Sequence, residues 1–365
     1  MSSICEVTTK QIINKSRLSN LGNTCYQNAV LHPLFHTPGG FIEFIMSGSY
    51  LDNLKDYAEE DVYKTLIFQF HRILNSIFKS NKAELNINTW KALLGEKNCF
   101  FSGFDQQDSQ EFLSYIIDKF TEEVGSKIKV LPTKRVDISD LNLGSKILNV
   151  QADSYWESYH KKNYSIMVPF FSGMFRTKLV YKDTNAITST FAPFTVLPLS
   201  IPKDNDKVSL NDCLEYLTKE EELDKDNLIK GKLSYGKTFG MKRETIWKLP
   251  KYLIFQIKRF KYNDYGQVTT KDCREVNYPL ELDMTDYIDD GSKYKRLNNK
   301  YKLYGVTLHY GMMMGGMSAG HYVAYVKNRS NGLWYLYNDD EKLRRVKKDN
   351  LVNQNAYLLY YCRDD

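Results

Sequence analysis

Two kinds of hydrophobic spacing divide the chain. In its first third, apolar residues recur every three or four positions. They are Val62, Leu66, Phe70, Leu74 and Ile77 along Glu60–Ser80, and Phe112, Ile116, Ile117 and Phe120 along Asp105–Val124. That spacing lines one face of a helix, so a helix is predicted over each segment, with Asp108 suited to the positive end of the second. From about Phe170 the pattern turns into short alternating or apolar runs: Phe194–Pro202, Tyr252–Asn263, Tyr301–Tyr310, His321–Lys327 and Leu333–Asp339. These read as strands, and their aromatic content predicts a sheet with one packed face. The charged stretch Glu220–Lys232 between the first two runs is expected to be exposed. Helices first and strands afterwards predict an α+β fold.

Composition narrows this picture. With 365 residues, 42% of them hydrophobic, the chain can bury a sizeable core, which excludes wholesale disorder. Lys and Arg number 50 against 44 Asp and Glu, a net charge of +6 with the signs interspersed. A nucleic-acid binder would gather its cations on one face, so no nucleic-acid partner is expected, and the basic stretch Ser292–Lys302 is read as solvated loop. No apolar run is long enough to span a bilayer, and the first twenty residues lack the apolar core of a signal peptide. A cytosolic or nuclear protein without membrane contact is therefore expected. The six cysteines are scattered and form no C-x-x-C pair, so neither a disulfide framework nor a cysteine zinc site is indicated.

One cysteine stands out by its neighbours. Cys25 lies between Gly22-Asn23-Thr24 and an apolar run, with Asn23 or Thr24 as a candidate N-cap. The unpaired N–H groups of a first helical turn stabilise an anion, so the position favours a thiolate. The alternative is a structural cysteine that happens to begin a helix. A nucleophilic thiol also needs a base. Of the histidines, His71 and His160 read as surface or packing residues. His321 follows the glycine-rich Gly311–Gly320, expected to be a mobile loop, and opens a strand that forms a hairpin with Leu333–Asp339 across Asn328–Gly332. A turn centred on Arg329–Ser330 pairs His321 with Asn338, and a turn centred on Ser330 pairs it with Asp339. Either could orient an imidazole as the third member of a Cys–His–Asn/Asp triad, although the polar run could equally be a plain strand end. Asn20, five residues before Cys25, could donate to an oxyanion beside the Cys25 backbone N–H, or could simply form a turn.

Four blocks then identify a family. Leu18–Leu31 resembles the cysteine box of the ubiquitin-specific proteases, Asp105–Leu113 their Gln-Gln-Asp box, Leu249–Tyr262 their Lys-Arg-Phe block, and Gly320–Asp339 their histidine box, all in family order. The resemblance covers nearly the whole chain. It implies a papain-like hand in a single catalytic domain. Residues 15–125 would be a helical thumb, 165–250 the fingers, and 126–164 with 251–365 mainly palm sheet. It implies Cys25 as nucleophile, His321 as base, Asn338 as third triad member with Asp339 auxiliary, and Asn20 as oxyanion donor. Asp108, with Glu111 as a second candidate, would contact the basic tail of ubiquitin. The implied partners are ubiquitin or ubiquitinated proteins, acted on by a thiol hydrolase that needs no cofactor, in a eukaryotic or host cell, with a monomer expected.

The chain departs from the family at three places. Where family fingers often carry two C-x-x-C pairs, Tyr181, Thr184, Lys237 and Gly240 stand here, so no zinc is expected. His32 replaces a usual glutamine and is followed by Pro33, which should kink or end the cysteine helix. Gly311–Gly320 is rich in methionine, which suits an adaptable apolar lip. The altered helix and the zinc-free fingers keep a ubiquitin-binding scaffold without turnover in view, and the triad alone would equally suit a thiol protease acting on another modifier or on unrelated proteins.

Overall fold

The computed structural model describes residues 15–79, 83–126, 143–161, 164–182, 184–203, 207–223, 229–230, 237–263, 268–311 and 320–364. The helical segment comes first, with helices at Cys25–Phe35, Gly40–Met46, Glu59–Tyr63, Leu66–Lys79, Asn88–Lys97 and Ser109–Glu123. The single helix expected over 60–80 is broken at Lys64–Thr65. Its longer part begins at Leu66 because a distant carboxylate caps it: the Leu66 and Ile67 N–H groups each donate to Glu123 at 2.9 Å. A cap supplied by another helix leaves no local trace in the sequence. The second helix starts at Ser109, four residues later than its apolar pattern suggested. Asp108 caps it, with Oδ1 accepting from the Gln110 N–H at 2.6 Å and the Glu111 N–H at 3.3 Å.

The strands build an eight-stranded main sheet. Its neighbours run Arg344–Val346, Trp334–Tyr337, His321–Lys327, Lys300–Tyr310, Ala356–Arg363, Tyr252–Lys258 and Val196–Ser200, with Glu281–Asp283 paired beside Lys300–Tyr310. Ala356–Arg363, late in sequence, thus lies between two strands made long before it. The sheet is packed on both faces rather than one. Tyr252, Ile254, Tyr304, Ala324 and Tyr360 join the core under the helices, while Leu253, Phe255, Leu303, Val323 and Tyr361 pack on the other side with the helix Leu210–Thr218. Double burial explains why these strands read as dense apolar runs instead of clean alternation.

A second sheet of four strands runs Ile187–Phe194, Gly173–Tyr181, Gly240–Lys248 and Glu221–Glu222, the last exposed, as expected for that part of Glu220–Lys232. Tyr181 and Gly240, two of the positions where family fingers often carry cysteines, pair directly in its ladder. The segment 126–164, expected with the palm sheet, is largely helical where described. The helix Leu143–His160 packs on the four-stranded sheet through Ala152, against Phe191 and Trp247. Lys248 lies over the Trp156 ring of that helix at 4.1 Å. The methionine-rich part of Gly311–Gly320 falls outside the described residues.

The cysteine helix does not stop at Pro33 but continues to Phe35. Proline has no N–H for the carbonyl four residues back, which is that of Ala29. Thr307 supplies the missing donor from the main sheet, its hydroxyl reaching the Ala29 carbonyl at 2.9 Å. The ring itself fits because Gly305 faces it: a Cβ there would lie 3.0 Å from Pro33 Cβ.

Candidate active site

The loop before Cys25 is shaped by one side chain. Asn20 Oδ1 accepts from the Gly22 N–H at 3.0 Å, the Thr24 N–H at 3.2 Å and the Thr24 hydroxyl at 3.3 Å. Thr24 Oγ1 in turn accepts from the Leu21 N–H at 2.9 Å. Thr24 is the N-cap residue, but its hydroxyl serves this loop and not the helix. Gly22 and Asn23 both hold positive φ, at 94° and 51°. Gly22 lies under the Phe104 ring, where a Cβ would come within 2.6 Å. Cys25 then opens the helix, 4% exposed. The Thr24 carbonyl accepts from Gln27 and Asn28, so the helix ladder gives the Cys25 N–H no partner.

His321 begins its strand opposite Tyr310. Its Nε2 lies 2.5 Å from Asn338 Oδ1, and Cys25 is close enough to the ring to act on its charge. The imidazole's pKa is raised to about 9, first by Cys25 and then by the Asn338 hydrogen bond, against a lowering from burial. A thiol beside an imidazole that an amide holds in place can form a thiolate–imidazolium pair, the arrangement of a covalent nucleophile.

Neither hairpin register expected from the sequence is the one adopted. Ala324 pairs with Tyr337 and Lys327 with Trp334, so a straight ladder would set Asp340 opposite His321. The ladder ends at Tyr337 instead, and Asp339 takes φ 45°. That bend lets Asn338 reach the imidazole with its side chain. Asp339 points elsewhere. Its Oδ1 accepts from Asn28 Nδ2 and its Oδ2 from Asn20 Nδ2, both at 2.8 Å. Burial pushes its pKa up. Asn28 was not singled out from sequence. The available signal was its place one turn beyond Cys25 on the same helix face.

The two carboxylates expected to meet a basic tail are placed differently from each other. Asp108 is buried, capping its helix and accepting from the Tyr357 hydroxyl at 2.7 Å. Glu111 is exposed beside it, its pKa raised by desolvation and by the Asp108 charge. Gln106, also missed, accepts from the Gly320 N–H at 3.2 Å and so ties the Gln-Gln-Asp loop to the residue before His321. The doubled glutamine was the signal. His309 packs behind, its ring 4.6 Å from that of Tyr322 and its pKa lowered to about 3 by burial. Among the described residues no group of three or more His, Cys, Asp or Glu is arranged to hold a metal ion.

The family model described as ubiquitin carboxyl-terminal hydrolase matches residues 16–361. The chain belongs to this family. It is 30% identical over 370 residues to ubiquitin carboxyl-terminal hydrolase 4 of Saccharomyces cerevisiae (strain YJM789), covering 95% of this chain and 39% of that protein. A probable ubiquitin carboxyl-terminal hydrolase of Acanthamoeba polyphaga mimivirus is 28% identical over 99% of this chain and 95% of its own length. The human ubiquitin carboxyl-terminal hydrolase 2 is 28% identical over 94% of this chain and 54% of its own. The chain thus spans about two fifths of its yeast relative. Its fold is that of the SAGA Ubp8/Sgf11/Sus1/Sgf73 DUB module bound to ubiquitin aldehyde, with TM-score 0.72 and 24% identity over 98% of this chain and 71% of that one. The papain-like α+β fold expected from sequence is therefore the fold observed. No described helix is long and apolar enough to cross a membrane.

Proposed function

We propose that this chain is a cysteine-type deubiquitinase that hydrolyses the bond after the C-terminal glycine of ubiquitin. The observation that carries the reading is His321 held by Asn338 at 2.5 Å with Cys25 close enough to be the first cause of its raised pKa. In this reading the Cys25 thiolate attacks the glycine carbonyl, and the C=O π electrons move onto the oxygen. The Cys25 N–H and the second hydrogen of the Asn20 amide are the donors proposed for that oxyanion. As the tetrahedral species collapses, His321 gives its proton to the leaving amine and a thioester forms. Water then attacks the thioester, His321 takes its proton, and the carboxylate and the thiol are released. Asn338 holds the imidazole, and Asp339 fixes Asn20 and Asn28 against the loop. The helical segment would serve as thumb, the main sheet as palm and the four-stranded sheet as fingers gripping ubiquitin. Glu111, which is exposed, is the carboxylate proposed to meet the tail, while Asp108 would shape the site from within.

A ubiquitin probe ending in an electrophile tests this. Wild-type protein should form a covalent adduct, and Cys25→Ala should form none. An adduct on Cys25→Ala at the wild-type level would remove the nucleophile from the scheme, and ubiquitin binding without any adduct on the wild type would remove the turnover.

A further inference from the structure

One short loop, between the helices Asn88–Lys97 and Ser109–Glu123, touches both halves of the site. The Phe104 ring packs against Gly22, and the Phe104 carbonyl accepts from Asn23 Nδ2 at 2.8 Å. Two residues on, Gln106 Oε1 accepts from the Gly320 N–H at 3.2 Å. Gly22 and Asn23 belong to the loop that leads into the cysteine helix, and Gly320 immediately precedes His321. The connecting loop is itself anchored at both ends. Lys91 donates to the Phe101 carbonyl and, at 2.8 Å, to that of Gly103. Asp108 accepts from the Gln110 N–H through Oδ1 and from the Tyr357 hydroxyl through Oδ2.

Burial does not account for these contacts. Phe104 is 71% exposed, so its ring adds little to the core, yet it covers Gly22. Positive φ at a residue other than glycine persists where the surroundings hold it, and at Asn23, with φ 51°, the Phe104 carbonyl is such a hold. The constraint passes from Gly22 to Asn20, whose Oδ1 accepts from the Gly22 N–H, and so to the donors proposed for the oxyanion. Gln106 acts on the other partner, through the last backbone N–H before the His321 strand. We propose that Phe104 and Gln106 are positioning residues: Phe104 holds the loop that aims the oxyanion donors, and Gln106 holds the start of the strand that carries the imidazole. Standing two residues apart in one anchored loop, they tie the placement of the thiol to that of its base. The proposal rests on the hydrolase reading, in which a misplacement of about 1 Å can lower a rate roughly 10²-fold.

Steady-state hydrolysis of a ubiquitin–fluorophore substrate by the whole chain, paired with NMR titration of the His321 imidazole, separates the two roles. Asn23→Gly keeps a left-handed backbone and removes the tie to the Phe104 carbonyl, while Phe104→Ala removes the ring. Each should lower kcat about tenfold with KM little changed, and leave the His321 titration at about 9. Phe104→Tyr, which keeps the ring, should recover most of that loss. Gln106→Met, of similar length without an acceptor, should lower kcat by a similar factor. It should also move the His321 titration toward 6.5, because the imidazole is held less well against Cys25 and Asn338. Gln106→Glu keeps an oxygen for the Gly320 N–H and should recover most of the lost kcat. A general loosening of the fold would move kcat and the titration together in every variant. That outcome overturns the proposal, as does a wild-type kcat in Phe104→Ala or Gln106→Met. A wild type without turnover would remove the hydrolase reading and the Phe104 role with it. The Gln106 role would then be decided by the titration, where an unmoved value in Gln106→Met overturns it.

Discussion

Asp339 holds two asparagines with one carboxylate, and this sets what its removal does. In Asp339→Ala the amides of Asn20 and Asn28 lose their acceptor, and Asn20 loses its orientation toward the proposed oxyanion. Because that interaction strengthens in the transition state, kcat should fall about 10²–10³-fold with little change in KM, as steady-state hydrolysis of a ubiquitin–fluorophore substrate would read. Asn338→Ala acts through a different group. It removes a hydrogen bond that raises the His321 pKa, so the alkaline limb of the pH–rate profile, expected near pH 9, should move toward 6.5. Equal profiles for wild type and Asn338→Ala would remove Asn338 from its orienting role. At this scale the sequence made Cys25, His321 and the Asn-Asp pair visible, because a thiol before a helix and a histidine opening a hairpin are local patterns. It did not make the division of labour visible. That depends on where the hairpin ladder stops and on the positive φ of Asp339, which a polar run of residues does not encode.

Among the elements, the cysteine helix shows how a helix survives an internal proline. The Ala29 carbonyl keeps a donor through Thr307, which is fully buried. Thr307→Val keeps the shape and removes the donor, leaving a buried carbonyl unsatisfied at a cost of about 1–3 kcal/mol. Urea unfolding should show that loss. In a Pro33→Ala background the helix N–H returns, so the same substitution should cost measurably less, and full additivity would refute the compensation. Pro33 was read as a kink or a stop because proline's effect is local and its remedy is not: Thr307 lies in a strand more than two hundred residues away. The helix break at Lys64–Thr65 has the same character, with Glu123 capping from another helix. The strands were more legible than the helix ends, since dense apolar runs announce burial. The packing of both sheet faces, however, turns on the helix Leu210–Thr218, which the sequence reading did not place.

For the molecule as a whole, buried histidines set an acid limit. His36 and His309 are pushed down to about 3 and His160 to about 4, each by burial first, and His32 lies well below the ordinary value for the same reason. A base whose folded pKa is depressed contributes its full stability above the unfolded value near 6.5 and loses it as pH falls, because the unfolded chain takes up the proton. Thermal stability should therefore drop as pH falls from about 6.5 toward 4, and His32→Gln should flatten that slope. His321 works in the opposite sense: its raised pKa contributes stability fully below 6.5 and loses it as pH rises through about 9. Stability should peak between the two limbs, a profile that differential scanning calorimetry across pH would trace.

The position of Ala356–Arg363 between Lys300–Tyr310 and Tyr252–Lys258 has a consequence for synthesis. A ribosome delivers this strand after both of its neighbours, so until residue 363 has emerged the nascent sheet has a gap down its middle, and the flank carrying the imidazole has no fixed relation to the flank below the helices. Tyr357, which bonds Asp108, arrives in the same late stretch. Assembly of the site proposed around Cys25 therefore waits for the strand Ala356–Arg363, and a chain made only as far as Tyr310 has both neighbours of that strand without the strand that joins them.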